Sequence, residues 1–149
     1  MNSWQEITSN FVQVGLAYLL TAIIGWDRER EEHNTGIRAF PIVGMASCGY
    51  LLILGHHPDA AAQSRVLQGL ITGIGFVGGG AILKDGATVR GAATAASVWN
   101  AGVIGASVAL EHYGIAITLC ALNLLTLRLL LPLKTWLDRE EKGRGGKQG

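Results

Sequence analysis

Charge is excluded from the long apolar stretches of this sequence and gathers in the short gaps between them and at the C-terminal end. A water-soluble core does not sort charge along the chain in this way. A membrane protein must, because one charged side chain at the bilayer centre costs about 3 kcal/mol or more. The chain of 149 residues is 49% apolar and has 21 glycines. So many glycines suit helices that pack closely in lipid better than helices in water. The net charge of +1 gives no reason to expect nucleic-acid binding. The pattern predicts an all-α polytopic membrane bundle whose first partner is the lipid bilayer, and not a soluble enzyme.

A spanning helix needs roughly 20 mostly apolar residues. Five stretches qualify, at about 7–26, 39–55, 66–83, 92–110 and 113–133, forming one transmembrane domain over 1–133. The second and third are close to the minimum length. The run Gly78-Gly79-Gly80 weakens the third, so a re-entrant segment is the alternative there. Residues 134–149 form a short charged tail, expected to be disordered beyond about Glu141. Met1 to Asn10 holds no Lys or Arg and so lacks the basic region of a signal peptide, which makes the first run a retained helix.

The gaps set the orientation. Arg28, Arg30 and Arg38, then Lys84 and Arg90, then five basic residues of the tail fall on one side, ten in all. Arg65 alone falls on the other. The positive-inside rule therefore places the N-terminus outside and the C-terminus in the cytoplasm. Arg128 lies five residues before Leu133, about 7–8 Å inside the cytoplasmic end. It either snorkels to the headgroups or pairs with a polar group in the bundle. Trp4, Trp26 and Trp136 fall near helix ends, as interfacial indoles do, whereas Trp99 falls inside the fourth helix as a packing residue.

Gly73-Ile74-Gly75-Phe76-Val77-Gly78 spells a dinucleotide-binding pattern but lies inside an apolar run, with Val98 where an acid would be needed. Helix packing is the better account. Gly69 with Gly73, and Gly75 with Gly79, form small-xxx-small pairs that let backbones approach. Gly102, with Ala95, Gly105 and Ala106, does the same on the fourth helix, and Ala17, Thr21 and Gly25 on the first. On this reading Gly75→Leu disrupts packing of the third helix.

Asp27-Arg28-Glu29-Arg30-Glu31-Glu32 follows the first span. Its carboxylates are hard oxygen donors of the kind Mg²⁺ takes, so Asp27 and Glu29 are candidate ligands. The interleaved arginines favour a solvated, salt-bridged helix extension, and Arg38 and Arg90 are expected to join the same cluster. His56-His57-Pro58-Asp59 reads as a loop, with Asp59 capping the next helix. Cys48 and Cys120 read as buried, inert thiols. No carboxylate falls in the middle of a span, no nucleophile–base pair is evident, and no cofactor is implied.

Together, Gly25-Trp26-Asp27-Arg28-Glu29, Gly36-Ile37-Arg38, the glycine block from Gly73 to Gly80, Val89-Arg90-Gly91 and Thr94-Ala95-Ala96-Ser97-Val98-Trp99 resemble the MgtC/SapB family of bacterial inner-membrane proteins. The blocks keep their order and spacing over about residues 10 to 125. The resemblance implies about five helices in the bacterial plasma membrane. It also implies a link to Mg²⁺ homeostasis and survival in host cells, by restraint of the membrane part of ATP synthase. Its functional motif maps to Asp27, Arg28, Glu29, Arg38, Arg90, Gly91, Thr94 and Trp99, and its glycine block to Gly73, Gly75, Gly78 and Gly80. Asp27 and Ala39 stand where members often carry Glu and Thr. Longer members carry a soluble domain after the membrane part, and roles that need it are not expected to transfer. Two functions remain open: a non-enzymatic regulator of a membrane partner, and a cation transporter or channel assembled as a homo-oligomer.

Overall fold

The structure is a computed structural model and describes residues 3–31, 36–55, 59–85 and 88–145. Among the described residues five helices are found: α1 (Ser3–Glu31), α2 (Ala39–Leu54), α3 (Ala60–Gly79), α4 (Ala92–Ala109) and α5 (Tyr113–Gly145). α4 is the hub and touches each of the other four. Its sequence explains why. It is built largely from Ala, Gly, Ser and Thr, so four neighbours can reach its backbone, and most of its residues are buried. Around it α3, α2, α1 and α5 follow in that order, with α3 holding α2 only loosely.

The packing is closest where side chains are missing. A Cβ on Gly105 of α4 would strike the Gly44 carbonyl of α2, and one on Gly102 would strike the Ile74 side chain of α3. A Cβ on Gly78 would lie 3.0 Å from the Ala95 carbonyl oxygen. Many large apolar residues point outward, although Ile24, Phe40 and Ile104 are fully buried. Phe11, Leu19, Ile117, Leu122, Leu125 and Leu129 are exposed, while Ala17, Ala101, Ala116 and Cys48 are buried. An exposed apolar surface this extensive has no place in water and suits lipid. α1, α4 and α5 are long and apolar enough to cross a membrane. α2, with 16 residues, is a shorter apolar helix spanning about 24 Å at the helical rise.

Several boundaries differ from the sequence expectation. α3 begins at Ala60 and ends at Gly79, against the expected 66–83. Asp59 supplies the expected cap and accepts from the Ala61 N–H at 2.9 Å. The polar first turns thus join the helix, and the triple glycine ends it, since each glycine there loses about 1 kcal/mol of helix propensity. Beyond it a two-stranded antiparallel hairpin, β1 (Leu83–Asp85) with β2 (Thr88–Arg90), replaces the expected plain gap. In the sequence, the glycine that follows Asp85 was the available signal. α5 continues through the charged segment to Gly145 and does not end near Leu133. The α4–α5 turn uses Glu111 in the left-handed region, φ 60°, which favours glycine or asparagine.

The glycines of α3 require the main correction. Gly69, Gly73, Gly75 and Gly79 are exposed, and a Cβ on any of them would meet no atom within 4 Å. They make no close helix contact within this chain: α3 turns Ile74 and Gly78 toward α4, Gly69 and Gly73 line an open crevice beside α2, and Gly75 and Gly79 are exposed. Gly80 meets only the Val77 and Phe76 carbonyls of its own turn. Gly75→Leu therefore leaves the fold intact, contrary to the sequence expectation.

Gly105→Ala should lower stability by about 1–3 kcal/mol, because nothing at the Gly44 carbonyl can give way. Gly69→Ala should leave it unchanged or slightly raised. Thermal unfolding of the two variants in one detergent separates these outcomes, and equal melting temperatures would contradict the packing described.

Candidate functional site

α1 and α5 lie side by side and run in parallel. Gln13 Nε2 donates to the Tyr113 hydroxyl at 3.5 Å, the Cys120 thiol donates to the Leu20 carbonyl at 3.3 Å, and Arg128 Nε donates to Asp27 Oδ1 at 3.0 Å. This register brings the one arginine of the α5 apolar segment to the acid that ends the apolar part of α1. The Asp27 side chain is 11% exposed and that of Arg128 is 68% exposed. Asp27 Oδ2 is fully buried and has no hydrogen-bond partner among the described residues. Arg28 is buried beside it in sequence.

Glu29 has a different task. Its carboxylate accepts from the backbone N–H groups of Gly36, at 2.9 Å, and Ile37, at 3.3 Å. Negative charge is favourable there because the start of α2 presents unpaired N–H groups. Gly25 and Gly36 are both buried, and a Cβ on Gly25 would lie 2.7 Å from the Gly36 carbonyl oxygen. The two sequence blocks around Asp27 and Gly36 are thus folded against each other, with glycine at the crossing and Glu29 as the clasp.

The remaining motif residues are more dispersed. Arg38 and Arg90 are exposed, and neither forms an ion pair with a described residue. The expected pairing with Asp27 or Glu29 is not made, since Arg128 holds Asp27 and backbone N–H groups hold Glu29. Arg30 lies over the Trp26 ring, 5.5 Å from its centre. Gly91 caps α4 with φ 83° at a point where a Cβ would strike the Ala81 carbonyl, so only glycine fits the hairpin-to-helix join. Thr94 is buried. Trp99 is 44% exposed and lines a small crevice with Ile71 and Ile74, so it is less enclosed than a packing residue. Ser97 Oγ donates to Asn123 Oδ1 at 3.1 Å and Asn100 Nδ2 to the Leu119 carbonyl at 3.3 Å, tying α4 to α5 through uncharged groups.

Both cysteines are buried and free. The dinucleotide-like pattern from Gly73 to Gly78 lies wholly within α3, and among the described residues no strand precedes it. Among the described residues no group of three metal-ligating side chains comes together. Asp27 and Glu29 are each engaged by protein donors, which leaves them poorly suited to share one ion. His56-His57-Pro58 and Glu32 lie outside the described residues.

In a double-mutant cycle, Asp27→Ala and Arg128→Ala should be non-additive by about 1 kcal/mol, the lower part of the usual range because the guanidinium is open to screening. Asp27→Ala and Arg90→Ala should add within about 0.5 kcal/mol. Unfolding free energies of the single and double variants provide the check.

Comparison with known proteins identifies relatives of this sequence. The MgtC family pattern covers residues 14–136. Protein MgtC of Brucella abortus is 28% identical over 149 residues, covering 97% of this chain and 61% of the relative. Protein MgtC of Salmonella typhimurium is 34% identical over 98 residues, covering 65% of this chain and 42% of the relative. An uncharacterized protein of Synechocystis is 25% identical over 137 residues, covering 92% and 57%. The chain therefore spans about three fifths of the length of the Brucella relative. No solved structure matches it. The family match reaches from the first half of α1 past the apolar part of α5, so it takes in every helix of the bundle, and this membrane protein belongs to the MgtC family.

Proposed function

We propose that the chain is a non-enzymatic, multi-pass protein of the bacterial inner membrane that acts in Mg²⁺ homeostasis or stress adaptation by helix contact with a membrane partner. The observation that carries this reading is the open glycine face of α3. Gly75 and Gly79 leave backbone uncovered where no helix of this chain stands, and Gly69 and Gly73 line an open crevice beside α2. Lipid gains little from such a face, whereas a partner helix gains close dispersion contact. The membrane part of ATP synthase is the partner that the family resemblance implies, and a second copy of the chain is the other occupant to test.

The orientation belongs to the same proposal: N-terminus outside, C-terminus in the cytoplasm. The parallel course of α1 and α5 supports ends on opposite sides, as an odd number of crossings requires, and the distribution of Lys and Arg gives the direction. A green fluorescent protein fused after Gly149 should fluoresce, and alkaline phosphatase fused before Met1 should be active. The reverse pattern would refute the assignment.

An oligomeric cation transporter is the second reading, and the orphan oxygen of Asp27 favours it. Arg128 weighs against it, since a guanidinium already neutralises that carboxylate. The distinguishing experiment is Gly75→Leu. It should leave thermal stability unchanged while reducing co-purification of the membrane partner, and growth at low Mg²⁺ should fall with it. Full recovery of the partner with the variant would remove the α3 face from consideration, and Mg²⁺ flux into liposomes by the purified chain would favour transport.

A further inference from the structure

The bundle uses only part of Arg128. Its Nε donates to Asp27 Oδ1, and among the described residues neither η nitrogen has a partner. A guanidinium carries five N–H donors in a planar fork, so most of them remain to be met. The second oxygen of Asp27 does not meet them, because it is buried and accepts from no described residue. The Arg128 side chain is 68% exposed, so its η end lies on the outer surface of α5.

That surface is apolar. Leu125, Leu129 and Leu130 stand within a turn of Arg128, and all three are exposed. Such a surface faces lipid, where N–H donors of a permanent cation are costly to leave unmet. Their acceptor must come from outside the bundle, and the depth of the site says where. Trp26, beside Asp27 in α1, is exposed, and an exposed indole at a helix end marks the headgroup level. Arg30 is also exposed and lies over the Trp26 ring, 5.5 Å from its centre. It stands three residues beyond Asp27, about 4.5 Å further along α1, on the flank between Trp26 and Asp27. Two arginines and an indole therefore border the α1–α5 seam near one depth. Glu29, the next acid along α1, is held by the N–H groups of Gly36 and Ile37.

We propose that this seam binds the phosphate of an anionic glycerophospholipid. The η N–H groups of Arg128 donate to two phosphate oxygens, in the paired geometry that a guanidinium offers. Arg30 supplies a second positive charge, and Trp26 lies beside the glycerol. The acyl chains run toward the bilayer centre along Leu122 and Leu125, both exposed. A zwitterionic headgroup brings its own cation toward Arg30 and is a poorer match. Free phosphate has the same oxygens but gains nothing from the leucines. The site needs only the membrane architecture and is independent of any helix contact at α3.

The test titrates the full chain in detergent with phosphatidylglycerol or phosphatidylcholine of identical acyl chains, and native mass spectrometry reads the lipid retained. Phosphatidylglycerol should bind roughly fivefold tighter or better. Arg128→Gln and Arg30→Gln should each weaken it by roughly threefold or more. Lys84→Gln, exposed on the hairpin at the same end of the bundle, should not. Asp27→Asn removes the competing carboxylate charge and should tighten binding, so the proposal remains testable if the Arg128 variant misfolds. Equal retention of the two lipids would overturn the proposal. So would unchanged affinity in the folded Arg128 and Arg30 variants, or an equal loss with Lys84→Gln, which would mark unspecific attraction by charge. Displacement of the lipid by inorganic phosphate would overturn it too, by assigning the site to the free anion.

Discussion

The approach of two backbones at Gly44 and Gly105 is the contact on which the bundle depends. In water, large apolar side chains would drive helices together. In lipid that drive is absent, because hydrocarbon solvates leucine as well as protein does, and association rests on close dispersion contact and internal hydrogen bonds. Small residues on α4 let α2 come within carbonyl contact, and the same choice admits Ile74 of α3 at Gly102. Ile24, Phe40 and Ile104 fill the core between these contacts, while many other large side chains face outward. That outer apolar surface follows from the solvent, and a water-filled surrounding would not tolerate it.

The acid–arginine cluster fits the same logic. A buried carboxylate at the end of an apolar helix needs a counter-charge, and Arg128 needs an acceptor in an otherwise apolar segment. Their meeting depends on α1 and α5 being parallel and in register. Glu29 then fastens the turn into α2 without contributing to that pair. The family motif is thus two devices in adjacent residues. One is an inter-helix ion pair and the other is a backbone clasp. The exposed Arg38 and Arg90 belong to neither and face whatever lies outside the bundle.

Much of the fold was legible from the chain. Five helices, their approximate places, the cap at Asp59, and the small faces of α1 and α4 all follow from hydropathy, charge and residue size. Local chemistry could also have given the β1–β2 hairpin, from the glycine that follows Asp85 in the sequence. The face of α3 was not legible. Gly69 with Gly73, and Gly75 with Gly79, have the spacing of packing residues, but spacing tells which residues share a face and not whether that face meets a sister helix. Nor could it choose for Arg128 between the headgroups and Asp27.

The amino-acid sequence by itself determined the solvent and the number of helices. Both follow from the run lengths and from the cost of placing charge in hydrocarbon, which act on each segment separately. Only the tertiary structure decided which helix sits at the centre, which acid Arg128 holds, and which glycines remain uncovered. Those outcomes depend on the order of helices around α4 and on their relative heights, and no single segment carries that information.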